Sequence, residues 1–144
     1  MKEAWMESVK TFMEEEIPFN VYLGMEVLEL GSGTCRVRIP WREELVGDAK
    51  RGAIHGGVLS ALADTTGGAA CLTLLESRED RLSTVDLRVD YLRRAPKAEL
   101  WCEAKVVRMG NRVAVARMEV FSAGEESGEP VATGQGVYNI AKSR

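Results

Sequence analysis

Apolar and polar positions change rhythm twice along this chain, and the changes mark out its elements. Trp5, Val9, Phe12 and Met13 fall at helical spacing, with Glu14 to Glu16 and Pro18 closing the segment, which predicts an amphipathic helix over 2–15 lying on the body of the protein. Two short extended runs follow, about 25–30 and 33–40, separated by Gly31-Ser32-Gly33. In the second, Cys35, Val37 and Ile39 alternate with Thr34, Arg36 and Arg38, the mark of a half-buried strand. The polar stretch Glu43 to Gly52 reads as a loop, and a long apolar helix is predicted over about 55–75. From there the period is two. Val85, Leu87, Val89 and Tyr91 alternate with Thr84, Asp86, Arg88 and Asp90. Leu100, Cys102, Ala104 and Val106 alternate with Trp101, Glu103 and Lys105. Ala114, Ala116, Met118 and Val120 form the next inward set, and Val131 to Ile140 make a last strand. Arg94 to Lys97, Gly110-Asn111 and Gly124 to Pro130 break these runs, so the last three strands are antiparallel neighbours joined by short turns. The order α-β-β-α-β-β-β-β predicts an α+β architecture, in which one apolar helix and a curved antiparallel sheet bury each other.

Composition narrows the picture. The 144 residues suit one domain, 1–144, without repeats or linkers, and 45% hydrophobic with 28% charged residues is ordinary for a soluble protein. A net charge of -3 and a pI near 5.3 lack the basic excess that nucleic-acid binding needs. Cys35, Cys71 and Cys102 are odd in number and widely spaced, which fits buried reduced thiols in a cytoplasmic protein rather than disulfides or a metal knuckle. The first residues carry charges throughout and no apolar core of a secretory signal. Ile54 to Leu75 is apolar enough to raise a membrane span, yet Asp64 at its middle and two glycine pairs favour a buried central helix.

That helix carries the candidate chemistry. Between Ile54 and Leu75 the only ionisable groups besides Cys71 are His55 and Asp64. Apolar residues on every face predict a helix enclosed nearly all round. A buried carboxylate without partners is costly, so Asp64 has either a hydrogen-bonding or a catalytic use, and burial would raise its pKa toward values suited to a base. Gly56 and Gly57 fall at the helix start, where backbone N–H groups lack intrahelical partners and a ligand can approach closely. With the helix dipole they offer a site for negative charge developing on oxygen, the need of acyl transfer. Eight residues, about 12 Å of helix, separate Gly56 from Asp64. One carbonyl cannot comfortably reach both, but a two-fold dimer could set Gly56 of one chain against Asp64 of the other, with Gly67, Gly68, Ala69 and Ala70 permitting close contact. The bland alternative is that Asp64 bonds a loop, the glycines merely permit tight packing and His55 is a cap. With a single His, a metal cluster is disfavoured. GxSxG and phosphate-binding glycine motifs are missing.

From about Asn20 to Ile140 the chain resembles the phenylacetate-degradation (PaaI) type of hotdog-fold thioesterase. The most specific element is Gly52-x-x-His55-Gly-Gly-Val-Leu-Ser-Ala-Leu-Ala-Asp64. Thr84-Val-Asp-Leu-Arg-Val-Asp-Tyr-Leu-Arg93, Val107-Arg-Met-Gly-Asn-Arg112 and Val131-Ala-Thr-Gly-Gln-Gly-Val-Tyr138 support it. The resemblance implies a helix wrapped by an antiparallel sheet, homodimers with a joined sheet and often a homotetramer built from two dimers. It also implies hydrolysis of acyl-CoA, with no cofactor beyond the coenzyme A of the substrate. Asp64 would be general base or nucleophile, and the Gly56 N–H of the other subunit the oxyanion donor. Thr84 would lie near the catalytic water, while His55 helps shape the oxyanion loop. Many relatives carry Asn or Gln six residues before the His. Here Ala49 stands there with Asp48 beside it, so either another group such as Asp48 does that work or catalysis is weaker. Arg93, Arg94, Lys97, Arg108 and Arg112 are candidates for the CoA phosphates, against the alternative of a solvated face. Rival readings are a hotdog hydratase or dehydratase pairing His55 with Asp64, and a non-catalytic acyl-CoA-binding module.

Overall fold

The computed structural model describes residues 2–143. It begins with α1 (Lys2–Thr11), which runs into a single π-helical turn (Phe12–Glu16). Pro18 does not end the helical region as its position suggested; it opens a second helix, α2 (Pro18–Leu23). At a first helical position the N–H that proline lacks would have had no acceptor anyway. Gly24, at φ 71°, stops α2 in the left-handed cap that glycine adopts at least cost.

Strands β1 (Glu26–Gly31) and β2 (Thr34–Ile39) form a hairpin close to the expected bounds. The stretch expected as a plain loop holds a 3-10 turn (Glu43–Leu45) and β3 (Val46–Asp48), which pairs with β4 (Ala53–Ile54). These strands are too short for alternation to reveal them. The hairpin runs hard against the start of the central helix: a Cβ on Gly47 would come within 2.6 Å of His55 Cα. Central helix α3 (Gly56–Leu72) follows, then β5 (Arg81–Tyr91), β6 (Leu100–Met109), β7 (Val113–Ser122) and β8 (Ala132–Ala141).

Six strands make one antiparallel sheet in the order β1-β2-β6-β7-β8-β5. The last three strands are neighbours, as their short connections require. Strands β1 and β5 are the two edges. Val37, Ile39, Leu100, Cys102, Ala116, Met118 and Val120 turn toward α3 and are buried with Leu59, Leu62, Ala63, Cys71 and their neighbours in one core. This is the sheet-wrapped helix that the hotdog resemblance implies.

Strand β5 departs from simple alternation. Thr84 pairs with Tyr138 and Asp86 with Val137, which leaves Val85 as an extra residue in a β-bulge. Alternation had placed Thr84 outward with Asp86, and Val85 inward with Leu87. The extra residue shifts the phase, so Thr84 faces α3 on the same side as Leu87, while Val85 is 65% exposed.

Of the small residues of α3 expected to permit close contact with a second chain, Gly67, Ala69 and Ala70 are buried within this one. A Cβ on Gly67 would meet the Tyr138 hydroxyl at 2.4 Å and Met118 Sδ at 2.9 Å, so this glycine lets the sheet approach rather than a second helix. Ala69 and Ala70 are fully buried within the protomer. No helix among the described residues is long and apolar enough to cross a membrane.

Candidate active site

Asp64 lies near the middle of α3, on a half-buried stripe with Ser60, Gly68 and Leu72. The helix is therefore not enclosed on every side, and along this stripe it borders a cavity of about 580 Å³. Asp64, Gly68, Ala69 and Leu72 form one wall, Leu82 and Thr84 of β5 another, and Trp5, Val9, Phe12, Met13, Ile17 and Phe19 roof it. A carboxylate thus stands at the edge of a largely apolar chamber.

Two contacts fix its place. The Thr84 hydroxyl donates to Asp64 Oδ1 at 2.7 Å, a bond that exists because the bulge turns Thr84 inward. From β8 the Tyr138 hydroxyl donates to the Asp64 backbone carbonyl at 2.9 Å. Burial first, and then the nearby Asp64 charge, pushes the Tyr138 hydroxyl above its ordinary pKa and keeps it a donor. Tyr138 fits only because Gly67 and Gly136 lack side chains: a Cβ on Gly136 would lie 2.5 Å from the same hydroxyl. The sequence placed Tyr138 only as the end of a strand motif, and these two glycines are the signal that marks it.

The start of α3 is built by His55. Its backbone N–H donates to the Leu45 carbonyl at 2.8 Å, and its Nδ1 accepts the Gly57 N–H at 2.8 Å. Accepting at Nδ1 leaves the proton of a neutral imidazole on Nε2. His55 thus caps the helix, and Gly57 lacks a side chain to make room for its ring, since a Cβ would lie 2.9 Å from Nδ1. The Gly56 N–H has no acceptor among the described residues. Tyr91 of β5 stands beside Gly56, where a Cβ would meet its ring at 3.2 Å, and its hydroxyl bonds Ser60.

The roof is held at both ends. The Trp5 indole N–H donates at 3.0 Å to the Leu72 carbonyl at the end of α3, which also accepts the Leu75 N–H at 3.1 Å. Arg78, between α3 and β5, meets Glu16 of the π turn at 2.9 Å. Neither contact was evident from sequence periodicity, because each joins residues more than 60 apart.

Other candidates fall elsewhere. Asp48 accepts the Lys50 and Arg51 N–H groups at 3.1 Å each and shapes its own turn, outside the residues lining the cavity. The basic residues do not form one cluster. Arg93 and Arg94 follow β5 at the end where Tyr91 touches Gly56, with Arg93 donating to the Pro130 carbonyl at 2.6 Å and Lys97 meeting Glu43. Arg108 and Arg112 flank the β6–β7 turn at the opposite end of the sheet, roughly 30 Å away along a ten-residue strand. Among the described residues no group of three or more His, Cys, Asp or Glu is placed to hold a metal.

Residues 51–129 match the model of the thioesterase superfamily. The chain is 34% identical over 118 residues to the medium/long-chain acyl-CoA thioesterase YigI of Escherichia coli K12, covering 74% of this chain and 76% of that protein. An esterase-named protein of Halobacterium salinarum is 36% identical over 124 residues, 83% and 82% of the two chains. Among solved structures, a thioesterase-superfamily protein at 34% identity superposes with a TM-score of 0.85, covering 96% of this chain and 99% of that one. A Shewanella oneidensis protein related to the same superfamily gives 0.80 at 29% identity, covering 97% of each. A sheet-wrapped helix bearing one carboxylate beside an apolar chamber, matched in sequence over more than half its length and in fold over nearly all of it, makes this chain a member of the thioesterase superfamily.

Proposed function

We propose that the protein hydrolyses acyl-CoA thioesters in the manner of the PaaI-type enzymes, with Asp64 as general base or nucleophile. The observation that carries this reading is the Asp64 carboxylate, held by Thr84 at the wall of an apolar cavity large enough for an acyl chain. Asp64 either takes a proton from a water that attacks the thioester carbonyl, or attacks that carbonyl itself to give a mixed anhydride that water then hydrolyses. On both routes the C–S bond breaks, CoA leaves as the thiol and the acyl group is released as the carboxylic acid.

The second half of the site comes from a twin chain in this reading. Within one protomer Gly56 and Asp64 are separated by about 12 Å of helix. Pairing of two β5 edges into a continuous sheet would bring the Gly56 N–H of one chain to the carbonyl attacked by Asp64 of the other. The free N–H at Gly56 supports this, as does the unpaired β5 edge with Val85, Tyr91 and Leu92 exposed. Arg93 and Arg94, at the Gly56 end, are then the nearest cations for the CoA phosphates. Three free, buried thiols support a cytoplasmic setting.

Asp64→Asn tests the reading. Incubated with a panel of acyl-CoA substrates and a thiol reagent, wild type should release CoA, and the variant should do so more than a hundredfold more slowly while remaining folded. Equal rates would remove Asp64 from the chemistry. Tight acyl-CoA binding by wild type without hydrolysis of any acyl group would instead make the protein a binding module.

A further inference from the structure

Of the polar side chains that line the chamber beside Asp64, two are buried among the described residues, Tyr138 and Asn20. The Tyr138 hydroxyl is given to the Asp64 backbone carbonyl. Asn20, on α2 in the roof, is 2% exposed, and its place follows from the chain around it. In a π turn a carbonyl accepts the N–H five residues on. For Met13 that residue is Pro18, which has no N–H to give. Asn20 fills the gap, its Nδ2 donating to the Met13 carbonyl at 3.0 Å. A carbonyl can be met only by the nitrogen end of an amide, so this bond fixes which way the group faces.

The oxygen end is left over. Asn20 Oδ1 accepts from no group among the described residues, yet unlike the Nε atoms of Arg36 and Arg42 it is not sealed from contact. A half-paired amide in apolar surroundings is unfavourable, and a donor brought by a ligand would complete it.

We propose that the chamber selects an aliphatic acyl chain bearing a hydroxyl, whose O–H donates to Asn20 Oδ1 while the thioester carbonyl lies at Asp64. The inference rests on the thioesterase reading and names its substrate more closely. Oδ1 is an acceptor, so its partner must bring a proton, which a keto or ether oxygen does not. It stands among Trp5, Val9, Met13 and Leu72, which suit a chain with one polar group. The pantetheine arm of CoA, with two amides and a hydroxyl, would leave polar groups unpaired there. A cavity of about 150 Å³ holds one benzene ring, and this chamber of about 580 Å³ has room for a longer chain. Because Asn20 and Asp64 are both held in place, the hydroxyl should count at one position along that chain.

The test compares decanoyl-CoA with a series in which a hydroxyl, or a fluorine of similar size that lacks the proton, is moved along the chain. At one position the hydroxyl compound should show a kcat/KM about tenfold or more above its fluorine twin. In Asn20→Leu that preference should vanish. Calorimetric binding of the same pairs to Asp64→Asn reads the preference without turnover. A protein that hydrolyses none of them would thus defeat the thioesterase reading and still answer for Asn20. Equal values for hydroxyl and fluorine at every position, or a preference that survives in folded Asn20→Leu, overturn the proposal. Where circular dichroism shows that Asn20→Leu has not folded, the wild-type comparison of hydroxyl with fluorine decides alone.

Discussion

Asp64 and Thr84 are 20 positions apart in sequence and meet through one hydroxyl. Thr84→Val keeps the shape of the side chain and removes that donor. A hydrogen bond to a charged group contributes about 1.5–3 kcal/mol, so kcat for acyl-CoA should fall by roughly tenfold or more with KM little changed. Steady-state rates on the purified variant check this, and an unaltered kcat would make the hydroxyl a bystander. Asp64 was legible in the sequence because it is a lone acid in an oily run. Thr84 was not legible from alternation, which pointed it outward, and only the family resemblance singled it out. His55 and Gly57 were legible as a unit at the helix start, but their internal bond, and the use of the missing Gly57 side chain to seat the imidazole, came from the structure.

Among the elements, α1 and its π turn matter most to the site because they form the chamber roof. Its hold on the core is narrow, chiefly Val9 and Met13 in the core and the Trp5 bond to Leu72. Trp5→Ala should cost about 2 kcal/mol through lost apolar burial and the loss of one hydrogen bond to the Leu72 carbonyl, read as a lower urea midpoint. The same variant should change which acyl lengths are hydrolysed best, measured as kcat/KM over a chain-length series; an unchanged preference would mean the roof does not touch the substrate. The long elements were readable because their periods are sustained, with β7 and β8 within a residue or two of expectation and β6 running three residues past the alternating set. The six-residue α2 and the β3–β4 hairpin were not, since neither is long enough to show a period. Pro18, read as a stop, was in fact a start, because proline suits both places.

For the molecule as a whole, the buried thiols set a limit in alkali. Burial pushes Cys35 and Cys71 from an ordinary 9.0 up to about 12. Between those values the unfolded chain has lost protons that the folded chain keeps, so stability is full below about pH 9 and declines as pH rises toward 12. The slope is about 1.4 kcal/mol per pH unit for each thiol. Melting temperatures from pH 8 to 11 should fall accordingly, and Cys35→Ala with Cys71→Ala should flatten the fall. Equal slopes for the two proteins would assign the loss to other groups. The overall layering was legible because one apolar helix followed by four alternating strands admits few arrangements. The seating of Tyr138 against Gly67 was not, because no periodicity links residues 71 positions apart.

Strand β5 bears Thr84 in mid-course and leaves its outer backbone unpaired. The polypeptide that steadies the acid is also the seam at which two chains would join in the proposed dimer. Loosening that seam would disturb the threonine as well as remove the facing amide. The amount of protein in the assay would then enter the rate itself, so turnover per chain should sink on dilution; a rate per chain that holds constant to the lowest measurable concentration would argue for a site complete within one copy.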